Sequence, residues 1–140
     1  MTSKPGVLFV CVKNGGKSQM AGALMRHHAQ DAITVYTAGT NPGSSLNAQS
    51  VESLAELGIN ITGEHPKPLT ADMLANVELI VTLGREAVVD PVPGIEIRNW
   101  DTEEPSTRGI EGMERMRLVR DDINSRVLLL AKELDAGTGE

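Results

Sequence analysis

Short apolar runs alternate with amphipathic stretches along the chain. Gly6–Val12 (GVLFVCV) is unbroken, the pattern of a strand buried on both faces. Ser18–Gln30 places Met20, Ala21, Leu24, Met25 and His28 along one side, which predicts a helix. Ile33–Tyr36 reads as a second strand running into Thr37-Ala38-Gly39-Thr40, and Ser45–Leu57 as a helix stopped by Gly58. Ala71–Ala75 predicts a short helix. Glu78–Leu83 and Ile95–Asn99 predict a third and a fourth strand. Asp101–Glu111 is polar, carries Pro105 and Gly109, and reads as a loop. In the last helix Met116, Val119, Ile123, Val127, Leu130 and Leu134 step by three and four, forming one apolar stripe. The tail Gly137–Glu140 is expected to fray.

Strands alternating with helices imply a three-layer α/β/α domain over residues 1–140, with a central parallel sheet of about four strands. In such sheets ligands bind beyond the carboxyl ends of the strands. Cys11 stands at that end of the first strand. The segment after it, Val12-Lys13-Asn14-Gly15-Gly16-Lys17-Ser18, leads into a helix N-terminus. Gly15 and Gly16 let the backbone curl with its N–H groups inward, and such a ring at a helix start binds a phosphate-shaped anion. The same positive field favours a thiolate and can bring a cysteine from a pKa of about 8.5 to roughly 3.5–7.5. Ser18 is placed to donate to the sulfur, and Lys17 adds a full positive charge. The competing reading, an inert core cysteine, does not account for the glycine pair, the lysine and the helix start together.

Charge sharpens this picture. The net charge of -6 argues against nucleic acid or an acidic membrane as partner, and it requires any anion site to be locally positive. No run reaches the roughly 20 apolar residues of a membrane span. Met1–Lys4 has no apolar signal core, so a cytoplasmic protein is expected. The single cysteine excludes an internal disulfide and a cysteine-cluster metal site. Aromatics make up 2% of the chain, so aliphatic side chains and methionines must fill the core. Arg115, Arg117 and Arg120, with Glu114, Asp121 and Asp122, read as a solvated helix face. One of His27 and His28 is expected to face solvent and the other to pack, and His65 to lie in a loop. Lys13 and Arg85 are candidates to flank the pocket mouth.

The loop resembles that of the low-molecular-weight protein tyrosine phosphatase superfamily, whose signature is Cys, five residues, then Arg-Ser. Cys11 and Lys17-Ser18 occupy that frame, and Asn14 matches its loop asparagine. Thr37-Ala38-Gly39-Thr40 resembles its Ser-Ala-Gly-Thr turn, and Trp100–Pro105 its acid loop, in which an acidic residue before proline protonates the leaving oxygen. Glu104 takes that place, with Glu103 and Asp101 as competitors. Asn14–Ala21, Glu103–Pro105 and Gly112–Arg117 are most similar to the arsenate reductase branch, in particular the arsenate–mycothiol transferases.

The resemblance implies arsenate as substrate, mycothiol as thiol co-substrate, a mycoredoxin downstream and no tightly bound cofactor or metal. A monomer or weak homodimer is expected. Two departures matter. Lys17 replaces the arginine, giving a point charge where a planar fork would grip two oxygens. Val81–Arg85 lacks the resolving cysteine of thioredoxin-coupled relatives. Three readings follow: thiol-dependent arsenate reduction, phosphomonoester hydrolysis on phosphotyrosine, and non-catalytic oxyanion sensing.

Overall fold

The computed structural model describes residues 4–102 and 104–138. Glu103, one of the three acid candidates, and residues 139–140 of the tail lie outside the described residues.

Four strands, β1 (Gly6–Cys11), β2 (Thr34–Gly39), β3 (Leu79–Leu83) and β4 (Glu96–Trp100), form one sheet in the order β2-β1-β3-β4. Every pairing is parallel. β1 and β3 are central and buried throughout, as their unbroken apolar runs require. β4 is an edge strand, so Glu96 and Asn99 reach solvent.

The strand period of two divides β1 between two cores. Val7, Phe9 and Cys11 face a large cluster built with α1 (Lys17–Ala29), α2 (Ala48–Ala55) and α4 (Gly112–Thr138). Leu8 and Val10 face a smaller one with Met73 of α3 (Ala71–Ala75), Val77 and Ile80. The thiol therefore projects toward the α1/α4 layer. The stripe on α4 is buried at Met116, Val119, Ile123, Val127 and Leu130, with Leu134 partly buried against the same core. Met20, Met25, Met73 and Met116 are buried filler, whereas Met113 is half-buried.

Several elements depart from the sequence pattern. α2 begins at Ala48 and not at Ser45, because Asn47 is drawn into another role. Its side chain caps the helix by accepting from the Ser50 N–H at 2.9 Å, while its own N–H is spent on the Gly15 carbonyl. Within the expected loop, Pro105–Arg108 closes a short 3-10 turn, ended by Gly109 in the left-handed region (φ 82°). Both His27 and His28 are exposed, and His28 shares a 2.7 Å hydrogen bond with Asn124 of α4 rather than packing.

The polar face of α4 is solvated only in part: Arg117, Glu114 and Asp121 are exposed, whereas Arg115 is half-buried and Arg120 buried. Arg117 and Arg120 converge on Glu56 behind α2, with closest contacts of 2.7 Å and 2.8 Å. Arg120 is 8% exposed and also donates to the Ser53 carbonyl. These pairs fix α4 against α2, a contact that helical periodicity cannot reveal.

Candidate active site

Cys11 ends β1 and α1 starts at Lys17, so the intervening loop must turn sharply over the sheet edge. The left-handed residue in the turn is Asn14 (φ 55°), not either glycine. Gly15 is required for a different reason: a Cβ there would lie 2.9 Å from the Ser45 carbonyl oxygen. Gly39 is similar, since a Cβ would stand 2.6 Å from the Val12 oxygen.

Every carbonyl of the loop has a partner outside the ring. Cys11 O accepts from Thr40 N, Val12 O from Asn41 N, Lys13 O from Gly43 N and Gly15 O from Asn47 N, at 2.7–3.0 Å. Asn14 O accepts from Gln19 Nε2 at 3.1 Å, and Gly16 O from Met20 N at 2.9 Å within the helix start. A trans peptide sets C=O and N–H on opposite edges. Carbonyls held outward therefore turn the following amides inward, where they form a concave ring of donors at the helix N-terminus.

The floor of the ring is buried and held by side-chain hydrogen bonds, with Gln19 Oε1 left unpartnered. The Asn14 N–H donates to the Cys11 sulfur at 3.2 Å. The Ser18 hydroxyl lies 2.9 Å from the same sulfur and accepts from Asn14 Nδ2 at 2.7 Å. Asn14 Oδ1 accepts in turn from the Lys67 N–H and from Gln19 Nε2. Asn14, Ser18 and Gln19 are all buried.

Gln19 and Lys67 were not singled out from sequence. The Lys67 ammonium reaches Thr37 Oγ1 at 3.2 Å and the His65 carbonyl at 3.1 Å. Burial pushes its pKa below the ordinary lysine value, opposed by the nearby Glu64. The loop residue His65 thus acts through its backbone. Only the position of Gln19, next to Ser18 at the start of α1, hinted at its part.

Cations and acids are arranged less simply than expected. Lys13 is exposed, and Arg85 holds Asp101 at 2.7 Å on the surface. Asp101 is thus committed to a surface pair. Lys17 lies 3.9 Å from Glu104, so the cation of the loop does reach the acid loop. Glu104 is itself gripped by Arg115 of α4: Nη2 donates to Oε2 at 2.9 Å and Nε to Oε1, while Ser106 Oγ donates to Oε1 at 2.7 Å. These donors, Arg115 foremost, hold the Glu104 carboxyl down to about 2. In this arrangement the anionic form of Glu104 is the favoured one. Glu104, the expected proton donor, is thus ion-paired, and Arg115, read from sequence as solvated, is its anchor.

Residues 6–138 match the low molecular weight phosphotyrosine protein phosphatase family. The chain belongs to it.

Among members similar to this one is an arsenate reductase of Bacillus licheniformis, 31% identical over 138 residues, covering 93% of this chain and 97% of the relative. A Corynebacterium glutamicum thioredoxin-dependent arsenate reductase has 32% identity and a TM-score of 0.79; the match covers 97% of this chain but 64% of that longer one. An arsenate reductase from Archaeoglobus fulgidus superposes with a TM-score of 0.71 at 28% identity, covering 90% of this chain and 98% of its own. This phosphatase-family fold has the expected parallel sheet of four strands. Among the described residues, no helix is long and apolar enough to cross a membrane.

Proposed function

We propose that the protein is an arsenate reductase that uses an external thiol. The observation that carries the reading is the amide ring around the Cys11 sulfur, built by fixing every loop carbonyl outward. Its similarity to arsenate reductases along nearly the whole chain supports arsenate as the oxyanion.

Arsenate enters with its oxygens on the N–H groups from Val12 to Ser18 and beside Lys17. The Cys11 thiolate attacks arsenic, forming S–As as one As–O bond breaks. The leaving oxygen takes the proton of a neighbouring As–OH and departs as water. The thiolate of an external thiol then attacks arsenic and displaces the Cys11 sulfur, leaving a thiol–arsenate adduct and the free enzyme. Arsenic is still pentavalent at this point. A separate dithiol reductant attacks the adduct sulfur, forms a disulfide and releases arsenite, with two electrons passing to arsenic.

The chain has one cysteine, so it cannot form a disulfide within itself. Mycothiol is the co-substrate we assign, with a mycoredoxin as reductant. This rests on the resemblance of Asn14–Ala21 and Gly112–Arg117 to the mycothiol-dependent branch. A relative described as thioredoxin-dependent makes thioredoxin the comparison to run.

The test is arsenite formation by purified protein given arsenate with mycothiol and mycoredoxin, or with thioredoxin and its reductase, beside an aryl phosphate control. Arsenite that requires mycothiol and disappears in Cys11→Ser is the expected result. Arsenite from thioredoxin alone would keep the reductase and remove mycothiol. Cleavage of aryl phosphate without any arsenite would return the loop to phosphatase chemistry. Arsenate binding with neither reaction would make it a sensor.

A further inference from the structure

Glu104 is surrounded by donors from three elements. Arg115 of α4 takes both carboxylate oxygens, Ser106 of the 3-10 turn takes Oε1, and Lys17 of α1 approaches Oε2 at 3.9 Å. Arg115 also feels the charge of Glu111, at the entry to α4. A two-pronged guanidinium on a carboxylate fixes its position and charge far better than a single lysine does. The acid loop therefore reaches the pocket with its carboxylate already saturated by donors.

Leaving groups differ in what they ask of that loop. Free dihydrogen arsenate carries protons on its own oxygens. When the Cys11 sulfur attacks, the departing hydroxyl takes one of them and leaves as water, so the charge balances without an outside acid. A phosphomonoester dianion has no proton on its bridging oxygen. Sulfur attack forms S–P and breaks P–O, and the alkoxide or phenoxide leaves bearing the electron pair unless a neighbouring acid protonates it.

We propose that Arg115 is a positioning residue that sets substrate class: by clamping Glu104 to α4 it withholds an acid from the pocket, so that free oxyanions react and esters with poor leaving groups do not. This inference rests on the arsenate reading for its biological substrate. The control of leaving groups is separable from that reading and is tested without arsenate. In this protein, then, phosphatase activity is suppressed by an ion pair formed from the far side of the acid loop, in addition to the Lys17 replacement.

The experiment compares wild type with Arg115→Met on phenyl phosphate, a poor leaving group, and p-nitrophenyl phosphate, which needs little acid. In Arg115→Met the ratio of phenyl to p-nitrophenyl turnover should rise at least about tenfold, within the range of about 10²–10⁴ available to a general acid. The gain should fall away as pH rises through the carboxylate range, because freed Glu104 then ionises. In Glu104→Gln/Arg115→Met it should vanish. Arg115→Lys, with a point charge in place of the fork, should give a smaller rise and serves as the test if Arg115→Met does not fold. An unchanged ratio, or a gain that persists without Glu104, overturns the proposal. Failure of wild type to make arsenite would strike the arsenate reading alone.

Discussion

The Ser18 hydroxyl lies 2.9 Å from the Cys11 sulfur and at the same time accepts from Asn14 Nδ2 at 2.7 Å. An oxygen that already accepts from an amide has its own hydrogen free to donate. Asn14 thereby sets the direction of the serine donor toward sulfur, and orders the reacting atom through Ser18.

Ser18→Ala should remove that donor while leaving the ring in place. A hydrogen bond to a charged group is worth about 1.5–3 kcal/mol, so arsenite turnover should fall about 10- to 100-fold. Binding of arsenate, followed by titration calorimetry, should change far less. An equal loss in both would mean that Ser18 builds the ring rather than assisting the sulfur.

Gln19→Met should damage the ring itself. It strands Asn14 O, whose partner is Gln19 Nε2, inside a buried site. Leaving a buried acceptor unpaired costs about 1–3 kcal/mol. Chemical denaturation should show that loss, together with weaker oxyanion binding. Unchanged affinity would show that the left-handed turn at Asn14 needs no such support.

Gly39→Ala tests the close approach of β2 to the loop. Its Cβ would stand 2.6 Å from Val12 O and 3.0 Å from the Asn14 Cβ, both within a tightly bonded turn. Overpacking of this kind costs about 1–3 kcal/mol, and here it pushes on the anion ring directly. Lower stability with lost anion binding is expected, and calorimetry checks both.

The ion pairs between α2 and α4 give a pH signature. Glu56 is held down to about 2 in the folded protein, chiefly by hydrogen bonds from Arg117 and then Arg120, against an ordinary value of 4.5. Because the folded value is the lower, the unfolded chain binds the proton more readily. The pairing stabilises fully above about 4.5 and is lost as pH falls from there through about 2. Glu56→Gln should lower Tm at neutral pH, and the gap from wild type should close across that acid window. A constant gap would assign the effect to packing.

The sequence by itself determined most of the scaffold. Unbroken runs at Gly6–Val12 and Glu78–Leu83 marked the two central strands, because only a strand covered on both faces tolerates such runs. The α4 stripe was equally plain from its spacing. The position of Cys11 at a strand end before a helix marked the reacting atom, since that junction follows from chain order alone.

What tertiary structure decided was the partnership of groups far apart in the chain. Thr40–Asn47 runs beside the loop and takes its carbonyls outward, yet nothing in its composition distinguishes it from an ordinary connection. Lys67 reaches Asn14 across 53 positions, and Arg115 pairs with Glu104 across the acid loop and holds its carboxyl below the ordinary range. Local pattern reports which face of an element is apolar. It carries no record of which polar groups the fold will bring together, and the charge state of a carboxylate depends on that neighbourhood.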